Sequence, residues 1–266
     1  MAFRSANINV MVSAANKAAR GLVRDFGEVE QLQVSVKGPS DFVSTADTKA
    51  ERVIKAELKK ARPDWGFLME EGGIDEGRDP RWRWIVDPLD GTTNFLHGIP
   101  HFAISIALEK DGEIVAGVVY SPIVDEMYWA EKGSGAFMND RRLRVSARRD
   151  IGQSLFATGI PFRGRPGHKP FLERLSKVMA VSAGVRRMGV ASLDLAFTAA
   201  GRFDGYWEHD LQPWDVAAGI ILVREAGGSV TALEPGTDPV HGGSILAANQ
   251  PMHKALKDLL TVDAAA

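Results

Sequence analysis

The chain has 266 residues, of which 45% are hydrophobic and 25% are charged, an ordinary balance for a globular protein of one or two domains. With 32 basic and 34 acidic residues, the net charge of −2 argues against general affinity for nucleic acid or anionic membranes. The absence of cysteine excludes disulfides, zinc–thiolate sites and a cysteine nucleophile. Without a signal-peptide pattern or an apolar run of membrane-spanning length, the sequence predicts a soluble cytoplasmic protein.

The N-terminal part of the chain has the periodicity of two helices. Apolar residues recur at helical spacing over residues 5–26 and again over residues 45–61, and a polar loop around Gly38 is expected between the two helices. Residues 67–69 are predicted to form a short strand, which delivers Glu70 and Glu71 at its end.

Beyond residue 100 the pattern becomes that of an antiparallel sheet. Residues 102–108 and 114–120 alternate as strands, and Asp111-Gly112 between them is a strong signal for a two-residue hairpin turn. Residues 127–130 and 136–145 are predicted to be further strands of this sheet.

After Ile151 strands and helices alternate, which is typical of an α/β domain. The predicted strands lie near 154–158, 184–188, 204–208, 228–231 and 244–247, and the predicted helices near 168–180, 191–200, 213–226 and 251–260. We therefore expect an α+β N-terminal domain over residues 1–147 and an α/β C-terminal domain over residues 148–266.

Residues 84–95, WIVDPLDGTTNF, are the most informative stretch of the sequence. The apolar run Trp84-Ile85-Val86 fits a buried strand, and Pro88 then places Asp87 at the strand end and Asp90 on a stiff turn. The following Gly91-Thr92-Thr93 offers backbone amides and hydroxyls. Carboxylates beside anion-binding amides suit a Mg²⁺–phosphate site, although Asp-Pro and Asp-Gly are also ordinary turn dipeptides.

Acidic residues elsewhere are candidates to complete the same site. Asp47 stands at a predicted helix start, the Glu70-Glu71 pair at a strand end, and Asp215 at the start of another helix. Each of them alone could be a helix cap or a solvated side chain. Several acids at the ends of apolar strands are costly unless cations neutralise them, and Mg²⁺ prefers oxygen ligands.

Other catalytic motifs are missing from the sequence. His97 and His101 are four residues apart, but Gly98 and Pro100 prevent them from sharing a helical face as in a zinc protease. Neither a Gly-x-Ser-x-Gly elbow nor a P-loop occurs, so the sequence lacks the motifs of serine hydrolases and of P-loop enzymes.

Two segments resemble the signatures of the inositol monophosphatase family. Residues 84–95 look like its first signature, and residues 214–219 followed by 225–228 resemble its second. Glu70-Glu71 and residues 41–47 also match family segments, so the likeness spans roughly residues 36–248. It implies an alternating αβαβα layered sandwich of the inositol monophosphatase and fructose-1,6-bisphosphatase type. It further implies a homodimer, sensitivity to lithium, and two to three Mg²⁺ ions per site.

The resemblance also implies the roles of the acids. Glu70, Asp87 and the carbonyl of Leu89 would hold one metal ion. Asp87, Asp90 and Asp215 would hold a second, with Glu70 also near a weakly bound third. By the same likeness, Thr92 and Asp47 are the pair that orients and deprotonates the attacking water, and Glu70 is a third catalytic residue.

Substrate contacts are implied in the same way, with the amides of Gly91 and Thr92 gripping the phosphate. The full set of implied substrate contacts is Leu89, Asp90, Gly91, Thr92, Arg186, Gly189, Val190, Ala191, Glu208 and Asp215. Two residues depart from the family pattern. Val190 replaces a small hydroxyl residue, and Met69 stands where glycine often precedes the glutamates. Neither residue is a predicted metal ligand, so these departures affect the identity of the substrate more than the type of reaction.

The implied reaction is Mg²⁺-dependent hydrolysis of a small phosphorylated polyol, and inositol 1-phosphate is the first candidate for the substrate. Histidinol phosphate, fructose 1,6-bisphosphate and a nucleotide 3′-phosphate are alternative substrates of the same chemistry. A role of another class is association with RNA polymerase in ribosomal RNA antitermination, with the arginines of residues 141–149 as the contact surface. The near-neutral charge argues against direct binding of nucleic acid.

Overall fold

The structure is a computed structural model that describes residues 4–28, 34–38 and 41–261. Among these residues, no helix combines the length and the apolar character needed to cross a membrane. The helices are α1 (Ala6–Phe26), α2 (Thr45–Ala61), α3 (Thr92–Leu96), α4 (His168–Met179), α5 (Ala191–Ala199), α6 (Pro213–Glu225) and α7 (Gln250–Leu260). All predicted helices are confirmed, and α3 is the one that the sequence interpretation missed.

Side-chain caps define the starts of the first two helices. The hydroxyl of Ser5 accepts the amide of Ile8 at the start of α1. At the start of α2, Ser44 and Asp47 form a reciprocal capping box, in which each residue's side chain satisfies an otherwise free amide. The cap therefore fixes the carboxylate of Asp47 at the first turn of α2.

The strands are β1 (Val34–Gly38), β2 (Asp41–Ser44), β3 (Trp65–Met69), β4 (Gly73–Asp75), β5 (Asp79–Asp90), β6 (Ala103–Lys110), β7 (Glu113–Ser121), β8 (Glu126–Glu131), β9 (Gly135–Met138), β10 (Arg141–Arg142), β11 (Leu155–Thr158), β12 (Gly184–Arg186), β13 (Gly205–His209), β14 (Ser229–Thr231) and β15 (Ser244–Ala248). Eight of them form a sheet in the order β10-β9-β8-β7-β6-β5-β3-β4. All neighbours in this sheet are antiparallel except β3 and β5, which run parallel.

The hairpin predicted at Asp111-Gly112 is confirmed. It joins β6 to β7, and both turn residues have positive φ angles, 50° and 80°, as a two-residue hairpin turn requires. The single strand predicted over residues 136–145 is wrong. It is split into β9 and β10 at Asn139, which turns the chain with a φ angle of 52°.

Two further expectations are corrected. The prediction of a polar loop around Gly38 is wrong for residues 34–38 and 41–44, because these residues pair as the antiparallel strands β1 and β2. Pro39, which was also placed in the loop, lies outside the described residues. Pro88 does not end its strand, because β5 continues to Asp90 through an irregularity in its pairing with β6. The proline is accommodated at the point where the ladder is interrupted.

A second sheet has five strands in the order β12-β11-β13-β15-β14. Strand β11 runs parallel to both β12 and β13, whereas β15 runs antiparallel to β13 and β14. The carboxyl ends of β11 and β13 therefore meet at one edge, where Thr158 is paired with Trp207.

Three hydrophobic cores separate five layers. Helices α1 and α2 cover one face of the large sheet, with residues such as Ile8 and Ile54 packed against Trp84. Helices α5 and α6 fill the space between the two sheets, and α4 and α7 cover the outer face of the small sheet. The predicted αβαβα sandwich is confirmed, while the division into domains at residue 147 stays a prediction.

Candidate active site

The end of β5 forms the centre of the candidate site. Asp87 is 2% exposed, and its Oδ1 accepts the amide of Leu89 at 2.9 Å, which turns the chain back over the carboxylate. Gly91 follows with a φ angle of 94°, and a Cβ there would lie 2.7 Å from Cγ2 of Val190. Only glycine fits this position without strain, so Gly91 permits the turn from β5 into α3.

The first turns of α2 and α3 meet through two side chains. Thr92 Oγ1 lies 3.0 Å from Asp47 Oδ1 and 3.0 Å from the carbonyl oxygen of Leu89. The other oxygen of Asp47 accepts both the amide and the hydroxyl of Ser44, at 2.9 and 2.5 Å. The carboxylate and the threonine hydroxyl are thus held in one orientation inside the protein.

Two more acids, at the end of β5 and in the first turn of α6, accept amides at the starts of helices. Asp90 Oδ2 accepts the amide of Ser192 at 2.7 Å, in the first turn of α5. Asp215 Oδ2 accepts the amide of Gln212 at 2.7 Å in a capping box at the start of α6. These amides favour the charged form of each carboxylate and so oppose the effect of burial on both acids. Asp90 therefore links the two halves of the chain.

Burial and the charges of neighbouring carboxylates raise the pKa of Asp87 and of Asp215. Burial raises the pKa of Asp87 well above its ordinary value, and the charges of Glu70, Asp90 and Asp215 raise it further. Burial and the charge of Asp90 also raise the pKa of Asp215, and burial raises the pKa of Asp90 to about 6. Three parts of the chain therefore bring four acids together: Glu70 after β3, Asp87 and Asp90 on β5, and Asp215 on α6. This accumulation of negative charge is unfavourable unless a cation is present.

Within the part of the chain that the structure describes, no three Asp, Glu, His or Cys side chains are already arranged around one point as metal ligands. The chemistry of the donors nevertheless fits a hard divalent cation. The groups available are the carboxylates of Glu70, Asp87, Asp90 and Asp215 and the carbonyl of Leu89, all of them oxygen donors. A bound cation would remove the repulsion that raises their pKa values.

A cavity of about 370 Å³ opens beside these acids. Glu208 lies on its wall at the end of β13, where its carboxylate covers Gly159 so closely that no Cβ would fit there. Its Oε2 accepts the hydroxyl of Tyr206 at 2.5 Å. Burial raises the pKa of Glu208 to about 7, against the opposing hydrogen bond from Tyr206. This carboxyl group therefore changes its charge near neutral pH.

Most of the predicted site residues line this cavity: Glu70, Asp90, Gly91, Thr92, Gly189, Ala191, Glu208 and Asp215. Asp47, Asp87 and Leu89 lie buried behind that lining. The side chain of Val190 is also buried and packs on Gly91 in the core, so the residue that departs from the family pattern does not present its side chain to the cavity.

Arg186 is not brought to the cavity. It is exposed, and its guanidinium donates to the carbonyl of Val185, whereas the neighbouring Arg187 lines the cavity. The predicted substrate contact of Arg186 stays a prediction, and Arg187 is the member of the pair that lines the cavity. Sequence reasoning missed further polar residues of the lining, among them Arg165, Arg174 and His209. No local motif marks these residues, since they come from a loop, a helix and a strand.

The chain is similar to proteins of known families along nearly its whole length. A sequence model described as "Inositol monophosphatase family" matches residues 5–264. Over 257 residues the chain is 60% identical to the inositol-1-monophosphatase of Rhizobium meliloti (strain 1021), with 97% of each protein covered. Over 249 residues it is 41% identical to the Nus factor SuhB of Vibrio cholerae serotype O1, covering 94% of this chain and 93% of that protein.

A solved structure has the same fold. The crystal structure of the extragenic suppressor protein suhB from Bartonella henselae superposes with a TM-score of 0.95 at 59% sequence identity. The superposition covers 97% of this chain and 100% of the Bartonella henselae chain. The layered architecture is therefore shared along the whole length of that protein.

Proposed function

Because the chain belongs to the inositol monophosphatase family and is therefore a phosphatase, we propose that it hydrolyses the phosphate monoester of a small polyol, inositol 1-phosphate first, with Mg²⁺ as cofactor. The relative of R. meliloti that carries the name inositol-1-monophosphatase supports this choice of substrate. The observation that carries the proposal is the Thr92–Asp47 hydrogen bond beside a group of acids whose burial and charges raise the pKa of Asp87 and Asp215.

Glu70, Asp87, Asp90, Asp215 and the carbonyl of Leu89 would hold two to three cations. When bound, Mg²⁺ would neutralise phosphate oxygens, lower the pKa of a bound water and stabilise the leaving alcohol oxygen. The amides of Gly91 and Thr92 would donate to the phosphate, which sits at the turn that leads into α3. These donors fix the phosphorus atom relative to the attacking water.

Asp47, Glu70 and Thr92 would prepare the water. Thr92 donates its hydroxyl proton to Asp47, which leaves a lone pair of Thr92 Oγ1 free to accept a proton of the water. Burial raises the pKa of Asp47 above its ordinary value, which makes it a better proton acceptor. The water oxygen then bonds to phosphorus while its proton passes by way of Thr92 to Asp47. The bond from phosphorus to the alcohol oxygen breaks, and this oxygen takes up a proton from solvent water.

Glu208 would bind the alcohol. Its carboxylate lies on the cavity wall, together with the backbone of Gly189 and Ala191 and the side chain of Arg187. A carboxylate accepts hydrogen bonds from hydroxyl groups, so this wall suits a polyol. The role of Val190 in this scheme is to support the turn at Gly91 by packing, since its side chain is buried.

The test is a panel of phosphate esters assayed for phosphate release with and without Mg²⁺. Inositol 1-phosphate, histidinol phosphate, fructose 1,6-bisphosphate and a nucleotide 3′-phosphate cover the alternatives. We expect release only with the divalent cation and the highest kcat/KM for inositol 1-phosphate. A clear preference for histidinol phosphate would overturn the substrate, and full activity in the presence of a chelator would overturn the chemistry.

A second role is supported by the relatives named Nus factor SuhB. We propose that the chain, as a cytoplasmic homodimer, also associates with RNA polymerase through the exposed arginines Arg141, Arg142, Arg144, Arg148 and Arg149. Capture of RNA polymerase from a lysate by immobilised Asp90→Asn protein tests this role apart from catalysis. Retained capture by this variant, together with loss of capture on reversing the arginine charges, supports the second role. No capture, or capture that ignores those charges, refutes it.

A further inference from the structure

A buried carboxylate on α2 is not used by the proposed reaction. Glu51 lies one turn after Asp47 on this helix and is 7% exposed. Its Oε2 accepts the amide of Glu71 at 2.8 Å. Lys55 follows one turn later, but its amine lies 2.7 Å from the carboxylate of Asp75 on β4. Glu51 is therefore bonded to backbone, while the nearby lysine pairs with a different carboxylate.

The turn that Glu51 contacts joins β3 to β4 and consists of residues 70–72. Gly72 brings its backbone so near to Glu51 that an added Cβ would lie 2.9 Å from Oε1. Burial raises the pKa of Glu51, whereas hydrogen bonds from the amides of Glu71 and Gly72 lower it. The carboxylate thus meets two consecutive amides of the turn.

Glu70 begins the same turn and is one of the proposed cation ligands. Its amide donates to the carbonyl of Val86 at 3.2 Å, next to Asp87 on β5. The amide that follows its side chain is the one of Glu71, which donates to Glu51. Both peptide units that flank the side chain of Glu70 are therefore held, one by β5 and the other by Glu51.

Holding both peptide units fixes the direction in which the side chain of Glu70 leaves the backbone. Mg²⁺ demands near-ideal octahedral geometry with oxygen atoms at about 2.0–2.1 Å, so a ligand on a loose turn binds it weakly. A buried carboxylate is costly without hydrogen bonds, so Glu51 keeps the two amides of the turn even when no cation is bound. The turn is in this way ordered before the cation binds.

We propose that Glu51 is a positioning residue of the cation site: by holding the amides of the β3–β4 turn, it places Glu70 for Mg²⁺ and touches neither the cation nor the substrate. This inference rests on the proposed function, because it concerns the cation that the phosphatase would use. Loss of Glu51 should weaken the binding of the cation and leave the Asp47–Thr92 pair in place.

Two variants of Glu51 test this role. Glu51→Met keeps the length of the side chain and removes both acceptors, whereas Glu51→Gln keeps one acceptor. Calorimetric titration of the substrate-free protein with Mg²⁺ should show a dissociation constant about tenfold higher in Glu51→Met, as is usual when the partner of a metal ligand is lost. The rise should be smaller in Glu51→Gln. Electron paramagnetic resonance of added Mn²⁺ measures the same site with a spectroscopic probe.

Glu57→Gln is the matched control, since Glu57 lies on the same helix but pairs with Lys17 of α1 at 2.5 Å. It makes the same chemical change as Glu51→Gln and should bind Mg²⁺ as the unaltered protein does. Kinetics with inositol 1-phosphate add a second readout. In Glu51→Gln the Mg²⁺ concentration for half-maximal activity should rise, while kcat and KM at saturating Mg²⁺ should stay near the values of the unaltered enzyme.

Equal affinity for Mg²⁺ in the unaltered protein and in both Glu51 variants overturns the positioning role, even where hydrolysis stands. Where Glu51→Met does not fold, equal affinity in Glu51→Gln alone has the same force. Variants that lose stability in urea but bind the cation normally also overturn it, since a purely structural carboxylate would behave in this way. An unaltered protein that binds neither Mg²⁺ nor Mn²⁺ overturns the cofactor of the proposed function together with this inference.

Discussion

Thr92 Oγ1 lies 3.0 Å from Asp47 Oδ1, which joins two residues 45 positions apart in the sequence. The hydroxyl belongs to the first turn of α3, and the carboxylate belongs to the first turn of α2. Because Asp47 is also held by Ser44, the pair is fixed before any substrate arrives. Preorganised groups of this kind are what catalysis by an activated water requires.

Replacing Thr92 by valine should lower kcat about 100-fold or more with little change in KM. Valine keeps the shape of the side chain but removes the hydroxyl that links the water to Asp47. Steady-state kinetics of phosphate release measure the effect. Thr48→Val is a matched control on α2, since Thr48 is exposed and only its own helix accepts its hydroxyl. A variant of Thr92 with unaltered kcat would remove this residue from the mechanism.

Asp87→Asn should abolish turnover and leave the fold intact. The amide oxygen of asparagine can still accept the amide of Leu89, but the charge that attracts a cation is lost. In the unaltered protein a cation at 100 times its Kd should raise the free energy of unfolding by about 2.7 kcal/mol. Thermal unfolding with and without Mg²⁺ should show this gain in the unaltered protein and in the surface variant Asp75→Asn. The Asp87→Asn variant should not gain stability from Mg²⁺. Turnover retained in this variant would contradict the assignment of Asp87 as a metal ligand.

Gly91→Ala should destabilise the protein by about 1–3 kcal/mol, because the added Cβ meets Val190 and the backbone has a positive φ angle. Gly112→Ala is the control, since its φ angle of 80° carries the same strain but its Cβ meets open space. Chemical denaturation of both variants separates the strain from the collision. Adding Val190→Ala should recover part of the stability lost in Gly91→Ala and none of that lost in Gly112→Ala. Equal losses of stability in the two glycine variants would show that Val190 moves aside for the added Cβ.

Where the local signal is strong, the sequence is sufficient to predict the fold. The caps and periodicity of α2 and the Asp111-Gly112 turn each determine their element through nearby residues. Strand β4 and helix α3 were missed because three and five residues are too few for periodicity, and α3 begins only where Gly91 allows the turn.

Proximity of site residues was predictable from local sequence only where one motif carries them, whereas acids elsewhere needed the resemblance to the family. Residues 84–95 place Asp87, Asp90 and Thr92 within a few positions of each other, so the sequence indicates their proximity. Strand β12 has three residues, and alternation over so short a strand cannot reveal whether Arg186 or Arg187 faces the cavity. Arg165 in the loop before α4 and Arg174 on α4 line the same cavity only through the packing of these segments, which a linear pattern does not encode.

Glu208 should make the cation-free protein less stable as the pH rises. Burial raises its pKa to about 7 in the folded state, so between about pH 4.5 and pH 7 the unfolded chain loses the proton and the folded protein keeps it. The stability that this group contributes is complete below that window and is lost as the pH rises through it. Glu208→Gln should remove the loss, so its advantage over the unaltered protein should grow by about 1–3 kcal/mol from pH 5 to pH 8. Urea denaturation at several pH values measures it, and an advantage that does not change with pH contradicts the raised pKa.

Arg187 and Arg186 provide a matched pair of neighbouring residues. Both arginines are exposed, but only Arg187 lines the cavity, and its charge lowers the pKa of Glu208. Arg186 donates to the carbonyl of its neighbour Val185. Replacing Arg187 by glutamine should therefore raise KM several-fold, by about 1 kcal/mol of lost binding. It should also raise the pKa of Glu208, so the limb of the pH–rate profile that reports this ionisation should move to higher pH. Arg186→Gln should leave both KM and that limb where they are. Since a merely structural loss would not move the pH limb, the profile of log(kcat/KM) against pH for the two variants decides which arginine acts at the cavity.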